Sequence, residues 1–265
     1  MKILNEATRL VPKMHLPTGE DGIGHDELQY LFLNFVEGQP LHPAILNGEE
    51  SPQILAQVIQ DYALFQIKIK SVPFDRIGSI YPDPLNSSST TVGPLIDLCF
   101  CFDDPPHFLE WEDDTDERKF YLKHADDKGD HIFVDDEGHI TGIIDWEWAY
   151  VTSKTEAFSP PLAIILPSSF WEGDNTLSSL EEMLITEYVN LGHSDLAKCV
   201  QEGKFYQRLH ILLGYHPELN HLKALREIVT GDKIFFANDG EYKDLCLTRY
   251  GEDEGYLRLL RNTIA

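Results

Sequence analysis

HADDKGDHI (residues 124–132) and IIDWEW (residues 143–148) are the two stretches of sequence that decide the fold of this chain. The run FYLK before the first stretch is typical of a strand that enters a turn. The longer segment HIFVDDEGHITGIIDW (131–146) predicts two short strands around a turn at 136–138. One strand therefore carries His124 and Asp126 into a turn, and a hairpin delivers Asp145 nineteen residues after Asp126.

Two aspartates at the ends of neighbouring strands predict chemistry on a phosphate. Phosphoryl transfer needs one Asp to orient or deprotonate the attacking hydroxyl and another to hold Mg²⁺ on the nucleotide phosphates. An Asp with a pKa of about 3.9 is a weak base, so Asp126 would act mainly by positioning. Asp145 lies between apolar residues, where a carboxylate usually has a cation or several donors as partners. The alternative for Asp145 is a turn cap.

The composition excludes several classes of function. The chain has 265 residues, of which 42% are apolar, and this is enough to build a core. Its 21 basic and 45 acidic residues give a net charge of −24, which disfavours binding to nucleic acid or to an anionic membrane. No apolar run approaches the ~20 residues of a membrane span, and the start MKILNEATRL lacks a secretory apolar segment. We therefore expect a cytoplasmic protein.

The order of predicted elements favours an α+β fold over a doubly wound parallel sheet. YLFLNFVEG (30–38) predicts a buried strand, and Ser51 followed by Pro52 predicts the start of a helix over 52–70. Residues 71–94 read as a loop. Ser178 and Glu181 form a possible capping box, and helices are expected from Ser194 to near Gly203, over 205–213 and over 218–230.

The H-x-D stretch, IIDWEW and the spacing between them resemble the aminoglycoside phosphotransferase and choline-kinase-like branch of the protein-kinase-like fold, most closely its fungal members. Three weaker similarities lie upstream in the matching order. VPK (11–13) resembles the stretch before the hinge, LFLNFVEGQPL (31–41) resembles the hinge strand, and Phe74 with 77–79 resembles an F-x-x-I-G-S stretch. The resemblance covers roughly residues 10–170.

The resemblance implies a protein-kinase-like α+β fold with a reduced N-lobe and hinge over 1–42 and a mostly helical C-lobe over 43–265. It implies ATP and Mg²⁺ as cofactors, with a nucleotide and an unknown small-molecule hydroxyl as partners. Carried over by position, Asp126 is the catalytic Asp beside the substrate hydroxyl and His124 braces its turn. Asp145 binds Mg²⁺, and the nucleotide edge is lined by Asn34, Phe35 and Val36.

The sequence departs from the family pattern at two places. The metal-binding Asn is expected five residues after Asp126, where this chain has His131. Magnesium prefers oxygen ligands, whereas an imidazole suits zinc or copper better, and His131 could still position a phosphate or a water. The ten residues before Val11 are too few for the family's glycine-rich loop, strand lysine and helix glutamate. This suggests a truncated gene product, a domain completed by another chain, or a degenerate member.

Two functions follow as hypotheses. The first is an ATP- and Mg²⁺-dependent phosphotransferase acting on a small-molecule hydroxyl, weak or inactive in this chain. The second is a catalytically dead pseudokinase that serves as a binding or regulatory module.

Other residues carry weaker alternatives. His131 and His139, with Asp126 and Asp145, suggest a metal hydrolase, but no H-E-x-x-H or similar pair supports it. Trp146 and Trp148 are expected to be core residues. Three acidic residues suit either a cationic substrate or an ordinary surface: Asp174, Glu181 and Glu182.

Overall fold

A computed structural model describes residues 2–15, 32–46, 51–83, 86–94, 119–125, 128–165, 167–214, 219–231 and 239–253. Three small antiparallel sheets lie in the first part of the chain, and helices dominate from residue 154 onward. This arrangement confirms the α+β class. Among the described residues, no helix combines the length and apolar character needed to cross a membrane.

The strands form sheets of two, three and four members. The first pairs β1 (Met14–His15) with β2 (Phe32–Leu33). The second has the order β3-β7-β8, and the third has the order β5-β4-β9-β6. The remaining strands are β3 (Gln39–Pro40), β4 (Gly78–Asp83), β5 (Asn86–Gly93), β6 (Tyr121–Lys123), β7 (Ile132–Val134), β8 (Ile140–Ile143) and β9 (Tyr150–Thr152).

The β7–β8 hairpin forms as the sequence predicts. Its register pairs Ile132 with Ile143, and both side chains are buried. Gly138 in the turn has φ +87°, and a Cβ there would lie 2.8 Å from the carbonyl oxygen of Ile54. The turn therefore needs glycine both for its backbone conformation and for its close approach to the neighbouring helix.

Helix α3 (Pro52–Lys70) is the central helix of the first half and has the predicted bounds. The Ser51 hydroxyl accepts a hydrogen bond from the backbone N–H of Gln53, and Pro52 occupies the first turn, where it costs no hydrogen bond. The helix buries one apolar face, which includes Val58, Ile59 and Phe65. Before it lie α1 (Lys2–Ala7) and α2 (Pro43–Leu46).

The second half of the chain is a set of packed helices: α4 (Lys154–Ala157), a 3₁₀ turn (Leu162–Ile164), α5 (Pro167–Trp171), α6 (Ser179–Asn190), α7 (Ser194–Gly214), α8 (Leu219–Thr230) and α9 (Asp239–Tyr250). The predicted capping box is confirmed, because Ser178 and Glu181 bond each other's backbone N–H groups. Helix α6 packs on α3 and on α7, which joins the helical part to the first half.

Helix α7 corrects the predicted stop near Gly203. The helix runs through this glycine without interruption. A Cβ at Gly203 would lie 2.6 Å from Cδ of Pro160. Glycine is present here because another segment approaches the helix closely, and not because the helix ends.

Two further predictions about secondary structure were wrong. Within 30–38 the described strand covers only Phe32–Leu33, and its side chains are exposed, so the apolar run is not a buried strand. Residues 71–94 are not a simple loop, because β4 and β5 pair there as a hairpin. Strand β4 also pairs with β9, which lies about seventy residues later in the chain. This stretch forms strands despite its glycines and prolines because a distant segment supplies its hydrogen-bond partners.

Candidate functional site

Asp145 lies two residues after the end of strand β8 and is exposed. Its backbone has φ +60°, and among the described residues it is the single non-glycine residue with a positive φ. Such a conformation costs about 1–3 kcal/mol and persists only where the surroundings enforce it. The position of this carboxylate is therefore imposed by the neighbouring structure.

Three hydrogen bonds fix the two residues before Asp145. The indole N–H of Trp146 donates to the carbonyl oxygen of Ile143 at 2.9 Å. Nε2 of His124 donates to the carbonyl oxygen of Ile144 at 2.7 Å, and since a carbonyl only accepts, this nitrogen carries the proton. The backbone N–H of Ile144 donates to the carbonyl oxygen of His131 at 3.0 Å.

Aromatic contacts connect the side chains that make these bonds. The rings of His124 and His131 stack with centroids 4.1 Å apart and an interplanar angle of 22°. Trp146 meets His124 edge-on at 4.6 Å, and Phe65 of α3 lies 6.0 Å from Trp146. We call His124, His131 and Trp146 the ring clamp. It joins the turn after β6 to the end of β8.

His131 is buried, with 3% of its surface exposed. Burial is the main reason that its pKa is lowered to about 3, and the charges of His124 and Lys128 add to the effect. The ring is therefore neutral at physiological pH. Its Nδ1 has no hydrogen-bond partner among the described residues, and the residue lines a cavity of about 20 Å³. Polar side chains in the cavity wall are those of Tyr62, Gln66, Lys123 and Ser159.

The hinge-like residues Asn34, Phe35 and Val36 directly follow strand β2. The Asn34 backbone N–H donates to the carbonyl oxygen of Lys13 at 3.0 Å, and its Oδ1 lies 2.8 Å from Nε2 of His15. Phe35 is 88% exposed. Val36 covers Gly142 of β8 so closely that a Cβ on Gly142 would lie 2.5 Å from its Cγ1. The structure thus brings Val36 to Gly142 of strand β8, and it leaves Phe35 in solvent.

The expected catalytic Asp126 lies outside the described residues. The loop resumes at Lys128, and Gly129 has φ +111° with the Cβ of Ala163 only 3.0 Å from where its own Cβ would stand. The loop is therefore packed against the Leu162–Ile164 turn. Among the residues that the structure describes, no three His, Cys, Asp or Glu side chains are grouped closely enough to hold a metal ion.

Two roles emerge only from the structure. Trp146 was expected to be a core residue, and it is buried, but its indole also bonds the backbone beside Asp145. The signal in the sequence was its position next to Asp145, because a buried indole N–H needs an acceptor. Glu181 does not line a surface that could meet a substrate, since its side chain is fully buried 2.8 Å from Nζ of Lys204.

Comparison with known proteins agrees with this geometry. A family model described as the phosphotransferase enzyme family matches residues 1–153, which include the hinge-like segment, the ring clamp and Asp145. The chain has no significant match among curated proteins or solved structures. Members of the matched family generally use ATP and Mg²⁺. Since the match spans more than half of its length, the chain belongs to the phosphotransferase enzyme family, a family of kinase-like phosphotransferases with the protein-kinase-like fold.

Proposed function

We propose that this chain carries the metal- and acceptor-binding half of an ATP-dependent small-molecule phosphotransferase, and that its phosphoryl transfer is weak or absent. The observation that carries the proposal is Asp145, an exposed carboxylate held at φ +60° by bonds to both preceding carbonyls. Carboxylate oxygens are the ligands that Mg²⁺ prefers, so the side chain fits the expected ion.

Each residue then has a defined task. Mg²⁺–ATP supplies the phosphoryl group and neutralises its developing charge when bound. Asp145 holds the cation, and His124 fixes the backbone that presents Asp145. Asp126 orients the acceptor hydroxyl, and the hinge residues Asn34, Phe35 and Val36 line the nucleotide edge. In this proposal residues 1–42 belong to the N-lobe and hinge, and 43–265 form the C-lobe.

His131 supports the expectation of low activity. At this position the family's Asn offers an amide oxygen, whereas this chain offers a buried neutral imidazole. Electrostatic stabilisation supplies most of the catalysis in phosphoryl transfer, so a lost oxygen ligand lowers the rate. The same observation favours the second candidate function, a catalytically dead pseudokinase that serves as a binding or regulatory module.

Thermal unfolding with and without Mg²⁺–ATP tests the proposal. A ligand that binds the native state stabilises it by RT ln(1 + [L]/Kd), which is about 2.7 kcal/mol at 100 times Kd. We expect a rise in Tm for the wild type that is lost in Asp145→Asn and retained in Asp126→Ala. Glu147→Gln, at an exposed neighbouring acid, is the matched control and should keep the shift.

Nucleotide turnover with a set of hydroxyl acceptors then separates the two functions. A Tm shift with ADP formation supports the transferase, and a shift without ADP formation supports the module. No shift at millimolar Mg²⁺–ATP would overturn the transferase and favour a pseudokinase module.

A further inference from the structure

The side chain at position 131 is oriented toward the protein core. Its ring stacks face to face on His124, and its exposed fraction is 3%. The residue lines a small cavity together with Tyr62 and Gln66, which belong to the buried face of α3, and its Nδ1 is buried. Asp145, by contrast, is exposed. An ion held by this carboxylate is on the solvent side, whereas Nδ1 of His131 is on the core side.

A chain of direct contacts nevertheless connects His131 to Asp145. The ring covers one face of His124, and Trp146 closes on His124 edge-on. His124 is thereby held where its Nε2 bonds the carbonyl oxygen of Ile144. The backbone carbonyl of His131 also accepts the N–H of Ile144. Both polar backbone groups of the residue before Asp145 thus depend on the segment that His131 anchors.

We propose that His131 is a positioning residue, which holds His124 and through it the backbone of Asp145, and that it contributes no nitrogen to the bound cation. This inference rests on the proposed function in one respect, namely that Asp145 is the cation ligand. The substitution of the family's Asn by His thus exchanges a ligand for a ring that reinforces the clamp. Stacking needs a flat ring and does not need the imidazole nitrogens.

Two substitutions separate positioning from ligation. His131→Phe keeps a flat ring of similar size and removes both nitrogens, whereas His131→Ala removes the ring as well. Val200→Ala serves as the control, because it truncates a fully buried side chain of α7 away from the site. Mn²⁺ in the presence of ATP is the probe, and the loss of free-ion EPR signal beyond the loss caused by ATP alone gives the dissociation constant of the ion from the protein. Hydrogen exchange at the amides of 143–146 gives a second readout that needs no ligand.

We expect His131→Phe to bind Mn²⁺ within about threefold of the wild type, and His131→Ala to bind about tenfold more weakly, as is typical when a group that orients a metal ligand is lost. Exchange at Ile144, whose N–H bonds the carbonyl oxygen of His131, should be faster in His131→Ala than in either His131→Phe or Val200→Ala. Rescue by phenylalanine is the result that a ligand role does not allow.

Other outcomes contradict the inference. Equal loss of Mn²⁺ binding in both variants at position 131, with unchanged exchange, would make the imidazole a ligand. Unchanged exchange in His131→Ala would remove the positioning role. If the wild type binds no Mn²⁺ with ATP, the proposed function fails, and the exchange measurement alone decides whether the ring holds Ile144.

Discussion

The ring clamp and the interior of the helical part use buried polar groups in opposite ways. Between α6 and α7, the carboxylate of Glu181 and the ammonium of Lys204 form a buried ion pair at 2.8 Å. One turn along α7, Arg208 is fully buried and donates to the carbonyl oxygens of Phe170 and Asp174 and to Nδ1 of His221. These buried charged groups connect α7 to the segments packed against it.

At the ring clamp the buried indole of Trp146 and the half-buried ring of His124 bond carbonyls beside a carboxylate that stays exposed. In the helical part, buried charges bond each other or backbone carbonyls. Beside the ring clamp, the charged residue Asp145 lies at the surface. Charge buried in the helical part should govern stability alone. The clamp should govern both stability and the binding of a cation.

Breaking the buried pair should have the largest effect. Lys204→Met leaves the Glu181 carboxylate buried without its cation, and such a loss typically costs about 3–5 kcal/mol of unfolding free energy. Urea denaturation measures it. Lys198→Met, which removes a partner of the exposed Glu202 pair on the same helix, should cost less than about 0.5 kcal/mol.

The double variant Glu181→Gln with Lys204→Met sharpens this result. It removes both charges while an amide oxygen can still accept the Ser178 N–H, so it should be more stable than Lys204→Met alone. If the double variant is less stable than Lys204→Met alone, the loss in Lys204→Met does not come from the unpaired Glu181 charge, which would contradict this explanation.

His131 should make the stability of the clamp depend on pH. In the folded protein the pKa of His131 is about 3, below its value near 6.5 in the unfolded chain. The stability that the neutral buried ring contributes is therefore complete above pH 6.5 and is lost as the pH falls toward 3. Between pH 7 and pH 5 the unfolding free energy should fall by roughly 2 kcal/mol from this group. His131→Phe should have a flatter curve, and equal slopes would contradict the buried neutral ring.

The strained backbone at Asp145 should determine which of two variants, Asp145→Gly or Asp145→Ala, has the larger unfolding free energy. At φ +60° a Cβ costs about 1 kcal/mol, so Asp145→Gly should be more stable than Asp145→Ala by about that amount. At exposed Glu147, where φ is not positive, the order should reverse. Chemical denaturation of the four variants compares them, and the same order at both sites would argue against strain.

The smallest effect is expected at Asp195, which accepts Lys70 and Lys154 at 2.5 Å each and joins α3, α4 and α7. Burial raises its pKa, but the hydrogen bonds and charges of the two lysines outweigh this and lower the pKa to about 2. Its contribution is therefore present above about pH 4 and is lost as the pH falls toward 2.

The carboxylate is partly exposed, so Asp195→Asn should cost only about 1 kcal/mol at pH 7. The difference from the wild type should shrink between pH 4 and pH 2 in a series of urea titrations. A difference that stays constant over this range would mean that the ion pairs do not contribute.

Local patterns in the sequence were sufficient to predict the helix starts and the hairpin, because each of these depends on residues within a few positions of one another. Ser51 and Pro52 set the start of α3, and Ser178 with Glu181 set the start of α6, because a cap bonds backbone groups within its own turn. The β7–β8 hairpin followed from its turn and from alternating apolar residues. The family was also readable, because the H-x-D stretch and IIDWEW lie at a characteristic spacing.

Contacts between distant segments decided the rest. By local rules Gly203 predicts the end of a helix. In the structure Gly203 lies within α7, and Pro160 packs closely against it. The run around Phe35 is apolar by composition, but the fold leaves it exposed. Above all, the sequence by itself supplied Asp145 and His131, whereas only the tertiary structure placed one in solvent and the other in the core. Burial and stacking depend on what packs against a side chain, and that neighbour can lie anywhere along the chain.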